Sequence, residues 1–489
     1  MSSAQSQPNV APLIAIVGGG LAGLTLSIGL SRHNITHKIY ESALAFSEIG
    51  AGIALGPNSV RALELIDPAI TVGFNKCVTY NEGVGTDEHG NGIGEGRNEW
   101  LDIRVGMADG FHDLITTVTH TGCTKPGRAC FHRAKFLDEL IKLIPPSTTQ
   151  FGKTLQSIET AKDQEEPLAL RFADGTTATA SAVIACDGIK SGVRKSYILG
   201  DDADSHQPAG RPQFTQEYAY RGMYTRDQFI DLTKGSISPG KGTLFCGDHG
   251  YVVMYPVEKG QFVNMVAVKR VHDSDHIGIG AGEPVTSTDK AKAFVPPDEN
   301  DSNWVQPVDP DTAVADFSDW GEPIRTLLSQ IRRPERWALY DHLPAPTYVK
   351  GRVVILGDSA HASTPHQGQG AGMAFEDALV LSGILGKMLE NGCGGHKSEA
   401  TATTTTKIEA CFRAYDAVRR PRTQELCRTS REMGEMVEFV LPGIGSDLAK
   451  MKANLDIRMK WIWDLDLQAE VQRGVDIAKD ILTHDPTGP

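Results

Sequence analysis

The sequence has no long uninterrupted apolar run of the kind that spans a bilayer, so no membrane helix is expected. It has no basic excess either. Lys and Arg number 48 against 61 Asp and Glu, a net charge of −13, which argues against a nucleic-acid footprint. That charge leaves a small-molecule substrate open, because a local basic pocket can sit inside an acidic protein. Cysteine is sparse and scattered. Cys77, Cys123, Cys130, Cys186, Cys246, Cys393, Cys411 and Cys427 contain no Cys-x-x-Cys pair, so neither a zinc set nor a disulfide scaffold is expected. Free thiols in a reducing cytoplasm are the simpler expectation. Met1 to Val10 is polar, lacks the charged-then-apolar layout of a signal peptide and reads as a frayed tail. There is no internal repeat, no nucleophile elbow and no carboxylate pair with a clear catalytic role. With 40% hydrophobic and 22% charged residues, the composition is that of an ordinary globular protein.

What is present starts with size: 489 residues bury a large core and favour more than one lobe. Pro12 to Val17 (PLIAIV) is a short apolar run suited to a buried parallel strand. Leu21 to His33 has helical spacing, and Lys38 to Glu41 is a second short strand ending in an acid. Strand, glycine turn, helix, strand is the opening of a doubly wound α/β sheet. Strand-like patterns return from Leu168 to Cys186, with a hairpin turn at Asp174-Gly175, and from Tyr218 to Val268. The latter reads as a separate sheet, a lid over a cofactor. Arg270 to Asp311 reads as a loop insertion, and Asn391 to Thr406 as a flexible surface loop. Gly370 to Leu389 and the chain from Ile408 onward read as helices. The expected organisation is a nucleotide-binding domain in three segments, 11–75, 131–200 and 346–390. A substrate-binding sheet occupies 201–345 with part of 76–130, and a loop and helices fill 391–489.

Three motifs carry the chemistry. In Gly18-x-Gly20-x-x-Gly23, glycine permits the tight turn and lets backbone N–H groups approach a pyrophosphate at a helix N-terminus. Leu21 and Ala22 lie inside the same turn, and Glu41 stands where an acid accepts from a ribose hydroxyl, about 20 residues on. Asn34 takes a position where glycine is common, and asparagine tolerates the left-handed conformation. This motif alone leaves NAD and FAD open. The second motif is an apolar strand running into Asp187-Gly188, followed by Ser191 and Arg194. The third runs from Gly357-Asp358 through Pro365-His366-Gln367 to Gly368, Gly370, Ala371 and Gly372, and then a helix. An acid at a strand end suits ribityl hydroxyls. A glycine-rich loop opening a helix aims N–H groups and a positive dipole at a flavin's pyrimidine edge.

Taken together, the three motifs resemble those of the single-component FAD-dependent aromatic hydroxylases, particularly salicylate hydroxylase and fungal relatives acting on phenolic polyketides. The resemblance runs from about Leu13 to Arg431 and includes Ser47 to Ile53, His132-Arg133, Trp337 to Asp341 and Tyr415 to Arg422. It implies a Rossmann-like FAD domain with an inserted β-sheet substrate domain and C-terminal helices. It implies NAD(P)H as co-substrate and oxygen insertion into a phenol through a flavin hydroperoxide. It assigns Arg133 to the cofactor and ties Asp187 to both FAD and nicotinamide use. It points to Arg221 and Tyr255 as the residues that activate the phenol. The plain alternatives are a surface salt bridge for Arg221 and a core tyrosine for Tyr255. His366 reads as a proton relay or, more simply, as a loop histidine packed on its neighbours; His361 reads as a structural hydrogen-bonder. Related folds also include lipid epoxidases and non-catalytic prenyl-lipid carriers. The former would need an apolar pocket without a central arginine, and the complete Asp187 and Asp358 motifs speak against the latter. The expected partners are a small aromatic substrate and O2, in the cytoplasm, with no nucleic acid, membrane or metal.

Overall fold

The structure is a computed structural model that describes residues 13–46, 52–160, 166–200, 208–271, 304–390 and 403–484. The run Ile14–Val17 is buried at every position, as a parallel strand covered on both faces must be. It pairs in parallel with His37–Tyr40 on one side and Ala182–Ala185 on the other. Val353–Ile355 continues the parallel set beside Ala182–Ala185. Thr149–Gln150 and the antiparallel Val349–Lys350 finish the two edges of this six-stranded sheet. The helix Leu21–Arg32 makes the first crossover, and Asn34 after it takes the expected left-handed conformation at φ +56. The hairpin expected at Asp174-Gly175 joins Leu168–Phe172 to Thr177–Ala180, with Gly175 at φ +81.

A second sheet has eight strands and packs against the helices Gly370–Leu389 and Thr404–Val437. Its order is Val305–Pro307, Glu335–Asp341, Gln213–Thr225, Phe262–Arg270, Gly250–Val257, Thr243–Gly247, Glu99–Val105 and Leu114–Thr119. Strand alternation divides its two faces. Tyr218, Tyr220, Tyr224, Val252 and Met254 point one way, into a core with Phe229, Phe317 and Trp320. Ala219, Leu244, Tyr251, Leu101 and Ile103 point the other way. There they meet Met373 of the helix Gly370–Leu389 and Met433 and Met436 of the helix Thr404–Val437. This second face looks onto the glycine loops of the first sheet.

Two expectations are corrected. The stretch from Arg270 to Asp311 is not all loop where it is described: Val305–Pro307 pairs with Glu335–Asp341, and Asp309 caps the helix Pro310–Ala315. A three-residue edge strand carrying Pro307 has too little alternation to be read in advance. Residues 272–303 lie outside the described residues, as do 47–51 and 391–402. The threonine run does not end in a loop at Thr406. Thr403 accepts from the backbone N–H of Thr406 and starts the helix Thr404–Val437, because a threonine hydroxyl caps a helix better than it extends a loop. Among the described residues no helix is long and apolar enough to cross a membrane.

Candidate active site

Ile14–Val17, Ala182–Ala185 and Val353–Ile355 are parallel neighbours, so their C-terminal ends bring three glycine loops to one edge of the sheet. Packing alone demands several of these glycines. Gly18 has φ +101, and a Cβ there would stand 2.4 Å from the carbonyl oxygen of Cys186. A Cβ on Gly23 would fall 2.1 Å from the carbonyl oxygen of Gly18. Gly357, at φ +68, would press within 3.2 Å of Ala22 and 3.4 Å of Ala374. Gly20 is different: a Cβ there would meet no atom within 4 Å. It opens the helix Leu21–Arg32, which has no side-chain cap and no acid in its first turn. That end carries free N–H groups and an unneutralised positive dipole, the setting for a phosphate. Glu41 accepts from the N–H of Gly19 at 2.6 Å and of Ala43 at 2.8 Å. These bonds orient its carboxylate and leave lone pairs for a ribose hydroxyl.

The second motif is a joint. Asp187 accepts from the Ser191 hydroxyl at 2.6 Å and the Val193 N–H at 3.3 Å, while burial raises its pKa. Those bonds wind the helical turn Val193–Ile198 and aim Arg194 inward. Arg194 is fully buried and donates to the carbonyls of Ala209 at 2.7 Å, Ala360 at 2.6 Å and Leu343 at 2.8 Å. Burial brings its pKa down to about 10.

In the third motif, Asp358 is exposed at the start of the short helix Asp358–His361. The turn Pro365–Gln367 ends at Gly368, which takes φ +63 with Trp100 packed 3.4 Å from its Cβ position. Gln369 then opens the helix Gly370–Leu389 without any side-chain cap, and both polar atoms of its amide are buried without a partner. A Cβ on Gly372 would fall 2.0 Å from the Ser59 hydroxyl oxygen. The first turns of this helix are held by ion pairs. Arg419 meets Glu376 at 2.9 Å and Asp377 at 2.7 Å, Arg422 meets Glu376 at 2.9 Å, and His361 meets Asp377 at 2.5 Å. Burial works against Asp377, yet His361 and Arg419 hold its carboxyl down at about 2. The Tyr415 to Arg422 segment therefore anchors the loop-bearing helix. His361 is the structural hydrogen-bonder expected of it.

These features fit FAD. The uncapped end at Gly20 suits its diphosphate and Glu41 a ribose. Asp358 suits the ribityl hydroxyls, and the uncapped end and orphan amide at Gln369 suit the ring's polar edge. Arg133 begins the helix Arg133–Ile141 directly after a strand paired with Gly52–Leu55.

Arg221 and Tyr255 stand on the sheet face that looks toward this cradle. Arg221 lies opposite Val266, and Tyr255 opposite Asn264 on the next strand. The Arg221 guanidinium stacks over the Trp337 ring at 4.2 Å. Solvent reaches it, yet enough protein surrounds it that burial lowers its pKa, with Tyr255 acting against the shift. The Tyr255 hydroxyl donates to the carbonyl of Gly52 at 2.8 Å, and burial raises its pKa. Arg128, not singled out by the sequence, is buried between the rings of Trp100 and Tyr255, its guanidinium carbon 4.8 Å from each.

Comparison with known proteins bears on this site. A family described as FAD binding domain matches residues 252–407. The chain is 36% identical over 96% of its length to 6-methylsalicylate 1-monooxygenase of Aspergillus terreus, covering 93% of that protein. It is 33% identical over 94% of its length to salicylate hydroxylase of Pseudomonas putida, covering 93% of it. A solved salicylate hydroxylase substrate complex superposes with a TM-score of 0.75 at 31% identity, over 96% of this chain and 99% of that one.

Proposed function

The chain belongs to the FAD-dependent monooxygenases of the salicylate hydroxylase type, and on that premise we propose that it uses NAD(P)H and O2 to hydroxylate a phenolic ring in the cytoplasm. The phenol is a salicylate-like acid or a polyketide phenol, held between the Pro365–Gly372 loop and the face bearing Arg221 and Tyr255. The observation that carries this reading is Arg221: a cation on the inner face of the sheet, reached by solvent and stacked on Trp337. A cation beside a phenol lowers its pKa and holds the phenolate, which is the electron-rich form that accepts oxygen. The same charge argues against an apolar lipid substrate for epoxidation.

Bound FAD supplies the oxygen-activating and hydride-accepting chemistry. The protein's own work is positional. Gly18, Gly20, Leu21, Ala22 and Gly23 seat the diphosphate, Glu41 and Arg133 the adenosine end, and Asp187 and Asp358 the middle. Gly368 makes the left-handed turn into the helix, its own N–H bonded to Pro365, and Gly370, Ala371 and Gly372 would offer their N–H groups and the positive helix end to the flavin ring. Arg221 orients and ionises the phenol, and Tyr255 braces the strand Gly52–Leu55 against the pocket through its bond to Gly52.

The test is a panel of phenols scored by NAD(P)H consumption, with mass spectrometry of the products to separate oxygen insertion from peroxide release. Stimulated oxidation with a mass gain of one oxygen is expected for at least one phenol. A yellow, FAD-loaded enzyme that oxidises no phenol on the panel defeats the proposal.

A further inference from the structure

On the inner face of the eight-stranded sheet, one cross-strand row runs Arg221, Val266, Val253, Leu244, Ile103. Directly paired residues point to the same side, so these five side chains share that face. The cation stands at one end, and its guanidinium leans over Trp337 of the strand on the other side. Val266 and Val253 come next and are only half-buried, an apolar strip that solvent still reaches. Leu244 and Ile103, at the far end, are 3% and 0% exposed. Neighbouring strands lie about 4.8 Å apart, which puts Leu244 about 14 Å from Arg221 along the row.

A small cavity opens at that far end. Leu244, Ile103 and Trp100 wall it from the sheet, and the turn Pro365–Gln367 from the flavin loop. Met433 of the long helix, Leu455 of the helix Leu448–Arg458 and Met459 close it. Its open volume is about 20 Å³, room for one water-sized group. The polar atoms around it are engaged or sealed off. The terminal nitrogens of Arg458 bond to Asn454, Thr429 and Glu432, and Gln367 Oε1 accepts from the Thr429 hydroxyl. Arg458 Nε, Gln367 Nε2 and His366 Nε2 are buried in the surrounding protein and reach no open volume. A cavity walled by carbon stays dry, and a methyl group matches both its size and its walls. Protein cores are packed almost without such voids. This one sits where Trp100 packs on Gly368, at the entry to the flavin loop.

We propose that this row is a substrate track and that the enzyme's phenol carries an extended apolar substituent, an inference that rests on the aromatic-hydroxylase reading above and narrows it. The phenolate oxygen sits at Arg221, the substituent lies along Val266 and Val253, and its end fills the cavity at Leu244. A one-ring acid is too short to meet Arg221 and fill the cavity at once. The track also selects against charge at the far end. A carboxylate laid on Val253 or pushed into the cavity would lose its water and gain no donor. Leu244 and Leu455, facing the cavity from sheet and helix, are then specificity-determining residues, because their size sets the length of substituent that fits.

The test uses the FAD-loaded enzyme and phenols with straight meta- or para-alkyl chains from methyl to octyl, with salicylate-like acids beside them. Along the better alkyl series, kcat/KM should climb roughly two- to four-fold with each methylene laid on the strip. It should peak at the length whose end fills the cavity and fall beyond it. Kd for the same phenols, read from the change in flavin absorbance without NAD(P)H, should reach its minimum at the same length. Leu244→Phe fills the cavity and should move the peak to a shorter chain, with about a tenfold loss at the wild-type optimum. Leu455→Ala widens the cavity from the helix side and should move the peak to a longer chain. If Leu244→Phe does not fold with FAD, the opposite shift in Leu455→Ala carries the test. A flat or steadily falling series, a peak that no variant moves, or oxidation of the one-ring acids alone overturns the track and leaves the aromatic reading standing. If no phenol is oxidised but Kd keeps its minimum and the variants shift it, the aromatic reading falls and the track stands as a binding site. If the alkyl series is neither oxidised nor bound, the track is lost, whatever the acids do.

Discussion

The guanidinium of Arg194 donates to the carbonyl oxygen of Ala360 at 2.6 Å, so the second motif holds the third by a bond between its final arginine and the helix that follows Asp358. The same side chain also donates to Leu343 and Ala209. A charge fully out of water, satisfied by carbonyl oxygens, is stable only while all of them stay in place. The second motif is thus a clamp on the loop that carries Asp358, besides any contact of its own with the cofactor.

Replacing Arg194 by Lys should therefore cost FAD retention as well as stability. An ammonium is a point charge and cannot span three separated carbonyls as the planar fork does. Each carbonyl left without a donor costs roughly 1–3 kcal/mol. The expected outcome is a lower urea midpoint for the holoprotein and loss of yellow colour on gel filtration. A variant that keeps its FAD and its midpoint would show that the clamp is dispensable.

The glycines of the first motif should separate into two kinds. Gly18→Ala forces a side chain into the left-handed region and against the Cys186 carbonyl, so it should prevent accumulation of folded protein. Gly20→Ala meets nothing in the protein. It should leave the unfolding midpoint of FAD-free protein nearly unchanged, with a shift of about 1 kcal/mol or less. Its FAD affinity should fall by at least about tenfold, because the methyl group occupies the approach of the diphosphate. FAD titration by fluorescence quenching and urea unfolding of the same samples check both halves.

The motifs were legible because their chemistry is local. A glycine turn, its strand, its helix and the acid at the next strand end lie within one short stretch, and the glycine conformations follow from that stretch alone. The helix Gly370–Leu389 was legible for the same reason, from its spacing. Ion pairs between distant segments were not. Asp377 and Arg419 are 42 residues apart, and nothing in either neighbourhood marks the other. His366 and Glu217 come from distant segments, so the histidine read more simply as packed on its loop than as a proton relay. The one available signal was Glu217 itself, an acid in phase with Ala219 and Arg221 on the inner face of a strand.

Trp337 should matter less than Arg221, and in a different way. Arg221→Met removes the charge and should lower kcat/KM on phenols by about 100-fold at unchanged FAD content. Trp337→Leu leaves the charge and removes a cation–π contact worth about 0.5–2 kcal/mol, so its loss should not exceed about 30-fold. Steady-state kinetics with FAD quantified by absorbance distinguish the two. Equal losses would mean that Trp337 contacts the substrate instead of merely orienting the guanidinium.

Asp377 should give the enzyme an acid-labile anchor. His361 and Arg419 outweigh burial and depress its pKa from the ordinary 3.8 to about 2. A carboxyl depressed in the folded state contributes stability above its unfolded pKa and loses it as pH falls through the folded one. The contribution, about 2 kcal/mol, should therefore be complete above about pH 4 and fade towards pH 2. Asp377→Asn should be less stable by about 3–5 kcal/mol at neutral pH, since it takes the carboxylate from a buried guanidinium, Arg419, and from the His361 ring. The gap between variant and wild type should then narrow as the pH drops from 4 towards 2, because the wild-type carboxyl takes up the proton that makes it resemble asparagine. Urea unfolding of both proteins at pH 7, 4 and 2.5 measures this gap directly. A gap that stays constant across that range would mean that Asp377 is not held in its charged form by His361 and Arg419, and that the helix bearing the flavin loop is anchored by Glu376 alone.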